Sequence, residues 1–212
     1  MKQTVKEIFE GLITRYEALR PISEDILSAY KLLKDTFSGG GRLFLAGNGG
    51  SASDCEHIVG ELLKSFKKPR KIDDATASAL SEYGDDGSYL LSTLEGALPA
   101  ISLISQTGVI SAFANDRAWD CAFAQQLYGL GRSGDCLLVL STSGNSKNCI
   151  NAVTVAKCKG IKTLALTGEG GGRLRELCDV CISVPAYETY AVLEYHLPIY
   201  HTLCAMLEED FF

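Results

Sequence analysis

The stretch that constrains this chain most is Arg42 to Glu61, RLFLAGNGGSASDCEHIVGE. Leu43-Phe44-Leu45-Ala46 is an apolar run of strand length, and Gly47-Asn48-Gly49-Gly50-Ser51 breaks it. The residues beyond read as a helix with Ser51 or Ser53 as its N-cap. Strand, glycine turn and helix together aim backbone N–H groups and the positive end of a helix dipole at an anion. The first reading is therefore a phosphate cradle. His57 and Glu61 stand four residues apart on the same helix and share a face. An imidazole and a carboxylate beside a phosphate site suggest a catalytic pocket for a phosphorylated small molecule.

The same residues fit a second pattern. Gly47-x-Gly49-x-x-Ala52 matches the dinucleotide fingerprint. That fingerprint wants an acidic residue about 20 positions on, at the end of the second strand. The next strand candidate, Ala100 to Ile104, comes far later and runs into Ser105-Gln106. No nucleotide cofactor is expected. A purely structural glycine turn is the third reading.

Around this unit the pattern alternates. Val5, Ile8, Phe9, Leu12, Ile13, Tyr16 and Leu19 make one helical stripe that Pro21 ends. Ser23 is the expected cap of a second helix, which Gly39-Gly40-Gly41 stops. These N-terminal helices, residues 1–38, either pad one sheet face or pack against another subunit. The basic run from Lys64 to Lys71 is expected to be solvated, and residues 67–98 read as a partly helical surface insertion. Strands follow at Ala100 to Ile104, Asp135 to Leu140, Ile161 to Leu166 and Val180 to Val184. Asn115-Asp116-Arg117 reads as loop, Trp119 to Leu130 as helix. A long last helix begins near Thr189. Near-continuous apolar strands alternating with helices predict one α/β domain over residues 1–212, a three-layer parallel sheet flanked by helices.

The 212 residues carry a net charge of −6, which argues against a nucleic-acid surface. No run approaches 18 apolar residues, and the N-terminus is amphipathic rather than signal-like. A cytoplasmic protein with no membrane or nucleic-acid partner is expected. The 8 cysteines sit mostly in apolar runs, and the one CxxC, Cys178 to Cys181, has no second pair to complete a metal site. Buried free thiols are the expectation.

Ser141-Thr142-Ser143-Gly144-Asn145-Ser146 follows the third strand as Gly47 to Ser51 follows the first. In open parallel sheets ligands bind outside the carboxyl ends of the strands. Clustered hydroxyls there suit a phosphate monoester, although Ser, Thr and Asn also make plain capped turns.

AGNGGSASDCEH together with LSTSGNS resembles the sugar-isomerase (SIS) fold, flavodoxin-like in its sheet, and within it the phosphoheptose isomerase family. VPAYETYAVLEYHLPIYH is similar to that family's closing helix. The resemblance implies aldose–ketose conversion of sedoheptulose 7-phosphate to D-glycero-D-manno-heptose 7-phosphate by a homotetramer. It implies Glu61 as catalytic base, His201 as its acid–base partner, and His57, Glu61 and His201 as zinc ligands. The phosphate residues it implies are Asn48, Gly49, Ser51, Ser141, Thr142, Ser143 and Ser146. Leu193 stands where the family has a metal-binding glutamine, so zinc is expected to bind weakly. Gln106 stands where it has a sugar-binding aspartate, and Pro198 interrupts the closing helix before His201. The rival reading is a non-catalytic SIS module that binds a sugar phosphate or a protein.

Overall fold

In a computed structural model that describes all 212 residues, the chain forms a five-stranded, wholly parallel sheet in the order β2-β1-β3-β4-β5. The strands are β1 (Leu43–Gly47), β2 (Ala100–Ser102), β3 (Cys136–Ser141), β4 (Lys162–Thr167) and β5 (Val180–Ser183). The helices are α1 (Gln3–Arg15), α2 (Ser23–Ser38), α3 (Gly50–Leu63), α4 (Asp74–Leu80), α5 (Gly84–Thr93), α6 (Thr107–Asp116), α7 (Ala122–Leu130), α8 (Lys147–Cys158), α9 (Gly172–Leu177) and α10 (Thr189–Phe211). Strand order reverses between β1 and β3, which opens a crevice at their carboxyl ends.

Each central strand feeds two cores because successive side chains face opposite ways. Leu43, Leu45, Leu138 and Leu140 join a core with α1, α2, α3 and α10. Phe44, Ala46, Leu137 and Val139 join a second core with α7 and α8. The expected three layers follow from these two cores.

Several local expectations change. Neither Ser51 nor Ser53 caps α3: Gly49 does, at φ +56°, and no side chain takes the cap hydrogen bond. Such a φ suits glycine. The approach is close as well, since a Cβ on Gly47 would stand 2.8 Å from the Ser51 carbonyl oxygen. Ser23 is the first residue of α2 rather than its cap. Pro21 does not end α1, which stops at Arg15; the proline lies in a 3₁₀ turn over Glu17–Ile22. Asn115 and Asp116 close a helix, α6, that the sequence pattern did not suggest. The apolar stripe of α1 is covered within the chain: Val5, Phe9, Leu12 and Ile13 are buried, and α1 packs on α10. Arg70, from the basic run, is buried and paired with Glu208. Of the cysteines, Cys55, Cys136, Cys149 and Cys204 are buried, whereas Cys158 is exposed. No helix is long and apolar enough to cross a membrane.

Candidate active site

Two groups of side chains gather around α3. The first lies at the carboxyl edge of β1 and β3. Ser141 ends β3 and is buried, with its Oγ 2.9 Å from Ser146 Oγ. Ser143 is exposed, and its Oγ accepts the Asn145 backbone N–H. The Thr142 carbonyl accepts the Gly168 N–H at 2.9 Å, tying this loop to the one after β4. Ser51 is buried in the first turn of α3. Asn48 behaves differently from the serines. Its side-chain amide donates to Asn148 Oδ1 at 3.0 Å and accepts from Asn148 Nδ2 at 2.8 Å. This reciprocal pair locks the β1 loop to the start of α8. A cleft of about 740 Å³ opens beside it, lined by Asn48, Trp119, Asp120, Ser146, Lys147 and Asn148. Lys147 Nζ lies 2.6 Å from Asp120 Oδ2 there.

The second group lies further along α3, where α10 crosses it. His57 Nε2 is 3.1 Å from Glu61 Oε1 and 3.4 Å from His201 Nε2. One ligand atom from each of His57, Glu61 and His201 can be chosen so that all lie within 4.8 Å of one another. Pro198 does not divert His201, because α10 runs unbroken from Thr189 to Phe211. His201 also lines a cleft of about 280 Å³ with Arg15, Phe66, Lys67 and Leu197. Burial lowers the His201 pKa, the His57 ring lowers it further, and Glu61 opposes them. The ring is therefore biased toward its neutral form.

The donors fit a zinc ion. Two imidazoles and a carboxylate are a common zinc set with a fourth position left open. The buried Glu61 Oε2 has no hydrogen-bond partner, Lys64 Nζ standing 3.8 Å away. Leu193 adds no fourth ligand: its Cδ1 lies only 2.8 Å from where a Cβ on Gly50 would sit. Its alkyl chain covers the glycine turn instead.

Behind the triad is a layer the sequence did not reveal. Tyr200 is buried, and its hydroxyl donates to Asp54 Oδ1 at 3.1 Å. The Tyr200 hydroxyl oxygen also stands 3.2 Å from His57 Nδ1. Burial and the Asp54 charge push the Tyr200 phenol up, so it keeps its proton. Burial raises the Asp54 carboxyl, against the Tyr200 hydrogen bond and His57.

Comparison with known proteins decides the kinship. Residues 90–168 match the SIS domain family. The chain is 36% identical to the phosphoheptose isomerase of Sulfurimonas denitrificans over 212 residues, covering 100% of this chain and 95% of that one. It is 32% identical to the phosphoheptose isomerase of Akkermansia muciniphila, covering 100% of this chain and 99% of that one. The chain belongs to the phosphoheptose isomerase family. The structure of a phosphoheptose isomerase from Francisella tularensis superposes with a TM-score of 0.76 at 28% identity, covering 99% of this chain and 100% of that one.

Within the phosphoheptose isomerase frame, three side chains escaped sequence reasoning. Asp54 lies one turn before His57, a spacing that could have marked it as a neighbour of the imidazole. Tyr200 adjoins His201 in sequence yet points to the other side of the triad, and only the packing of α10 on α3 shows it. Asn148 had no sequence signal, since its partner comes from another loop.

Proposed function

We propose that this protein converts sedoheptulose 7-phosphate to D-glycero-D-manno-heptose 7-phosphate. The observation that carries the reading is the His57–Glu61–His201 cluster on the helix that begins at the phosphate-type loop. His57 and Glu61 lie about 9 and 15 Å of helix rise beyond Ser51. Backbone N–H groups of the two loops, with Ser51, Ser141, Thr142, Ser143 and Ser146, hold the phosphate. Asn48 and Gly49 shape the cradle, the first by bracing Asn148 and the second by its left-handed backbone.

In this reading the Glu61 carboxylate takes the proton from C1 of the ketose. The C1–H electron pair becomes the C1–C2 double bond of an enediol, and the carbonyl oxygen gains a proton. Return of the proton to C2, with loss of one from O1, completes the aldose. His201, biased toward the neutral ring, can both give and take the oxygen-bound proton. Zinc held by His57, Glu61 and His201 would supply Lewis-acid polarisation of the substrate oxygens.

The whole chain acts as a single domain, and the active assembly is a homotetramer with sites between subunits. The covered stripe of α1 no longer argues for association. Trp119 at 61% exposed, Tyr187 at 77% and Tyr190 at 67% are aromatic side chains of the kind enriched at interfaces.

The test is incubation with sedoheptulose 7-phosphate followed by NMR, in which aldose signals should grow. Binding without conversion would favour the non-catalytic module.

A further inference from the structure

We infer that Tyr200 is a positioning residue that, backed by Asp54, fixes the tautomer of His57 so that Nε2 faces Glu61 and His201 with a free lone pair. The inference rests on the proposed metal-holding role of the triad. It starts from proton counting around one oxygen. The Tyr200 hydroxyl has a single proton and two acceptor-capable neighbours, Asp54 Oδ1 at 3.1 Å and His57 Nδ1 at 3.2 Å. Asp54 Oδ2 is buried without a partner. If Tyr200 gave its proton to His57, the Asp54 carboxylate would have no hydrogen bond at all. A carboxylate with one oxygen already buried and unpartnered loses more when stripped of its last donor than an imidazole nitrogen does. The proton therefore goes to Asp54. The Tyr200 oxygen then has lone pairs to offer, and His57 Nδ1–H donates into them.

The consequence falls on the other ring nitrogen. With the proton held at Nδ1, neutral His57 presents an unprotonated Nε2, 3.4 Å from His201 Nε2 and 3.1 Å from Glu61 Oε1. That is the form a metal ion takes from histidine, and ligating histidines commonly have the other N–H held by a partner. The competing tautomer, with Nε2–H donating to Glu61, would block the site with a proton. Tyr200 and Asp54 work against it. Tyr200 is itself held firmly in place, being 2% exposed, and its ring packs edge-on to His57 with centroids 5.6 Å apart.

The experiment uses the intact, metal-free protein and two readouts that need no substrate. Nitrogen-15 NMR of the histidine rings is recorded well above the ordinary histidine pKa, with His57 identified by its absence in His57→Gln. Wild type should show a protonated Nδ1 and a bare Nε2. Tyr200→Phe keeps the ring and removes the hydroxyl, so His57 should move toward Nε2–H. Zinc affinity, measured by competition with a chelator, should fall about 10–100-fold. If Tyr200→Phe does not fold, Asp54→Asn provides the second arm: its neutral amide can donate to Tyr200, turning the hydroxyl proton toward Nδ1. That variant should give the same two changes. A wild-type His57 carrying its proton on Nε2 overturns the inference. So do unchanged His57 signals with unchanged zinc affinity in the folded variant. Wild type with the bare Nε2 but no zinc affinity would instead defeat the metal-holding reading of the triad and leave the tautomer assignment standing.

Discussion

Glu61 and His57 were readable from spacing alone, because four residues on a helix bring two side chains to one face. Their chemistry was not, since it depends on His201 arriving from a helix about 140 residues later in the chain. The structure brings the three together. Glu61→Gln preserves the shape and removes the base, so turnover of sedoheptulose 7-phosphate should fall about 10²–10⁴-fold. A variant with full activity would remove Glu61 from the chemistry. The serines divide more finely. Ser141 and Ser146 already hold each other, whereas the Ser143 hydroxyl is exposed and accepts one backbone N–H. Its hydroxyl proton is still free to donate to an incoming phosphate. Ser143→Ala should weaken sugar-phosphate binding by about 1–3 kcal/mol in a calorimetric titration. Unchanged affinity would place the phosphate elsewhere. Asn48, which the resemblance places among the phosphate residues, spends its side-chain amide on Asn148, a partnership nothing in the sequence announces.

At the scale of elements, strands and most helices were legible because buried parallel strands are continuous apolar runs and the helices repeat every three to four residues. Caps were not. A glycine with a left-handed backbone displaces the serine that propensity favours, since the turn must bring Gly47 close to Ser51. Pro198 is tolerated inside α10 because the carbonyl it leaves unbonded belongs to Glu194, an exposed residue on the helix's outer side. The join between α3 and α10 is the least readable feature of all. Arg70 Nε pairs with Glu208 Oε1 at 2.8 Å, while its other nitrogens donate to the carbonyls of Leu62 and Glu61. Glu208 also accepts the backbone N–H groups of Phe66 and Lys67. Every polar end of this buried pair is satisfied, and it caps the helix that bears Glu61. Removing one partner strands a buried charge, so Arg70→Met should lose about 3–5 kcal/mol in urea unfolding. A loss under about 1 kcal/mol, the range of exposed pairs, would mean the pair is not buried in solution.

For the whole molecule, composition and alternation sufficed for the layers but not for the partition of core from surface. His196 shows why. It reads as one more histidine on the closing helix, yet it is fully buried, and neither ring nitrogen has a hydrogen-bond partner. Burial pushes its pKa from 6.5 down to about 4, against a smaller pull from the Thr167 backbone. The folded pKa lies below the unfolded one, so between pH 6.5 and about 4 the unfolded chain binds the extra proton. Stability is therefore whole above about pH 6.5 and declines as pH falls through that window, by on the order of 3 kcal/mol in total. His201, lowered in the same direction, adds to the decline. Burial alone would raise Glu208, but the two amides and Arg70 hold it below its ordinary 4.5, so it keeps its contribution until the pH is lower still. In the interval from about pH 6.5 to 4.5 the histidines carry the decline, while the raised Asp54 carboxyl works the other way. His196→Leu fills a similar volume without a proton to take. Urea unfolding at one fixed protein concentration, so that subunit association does not confound the comparison, should show a falling wild-type profile across the interval and a much flatter one for His196→Leu. Equal slopes in the two proteins would mean that His196 finds a partner or water in solution and that the acid sensitivity lies elsewhere.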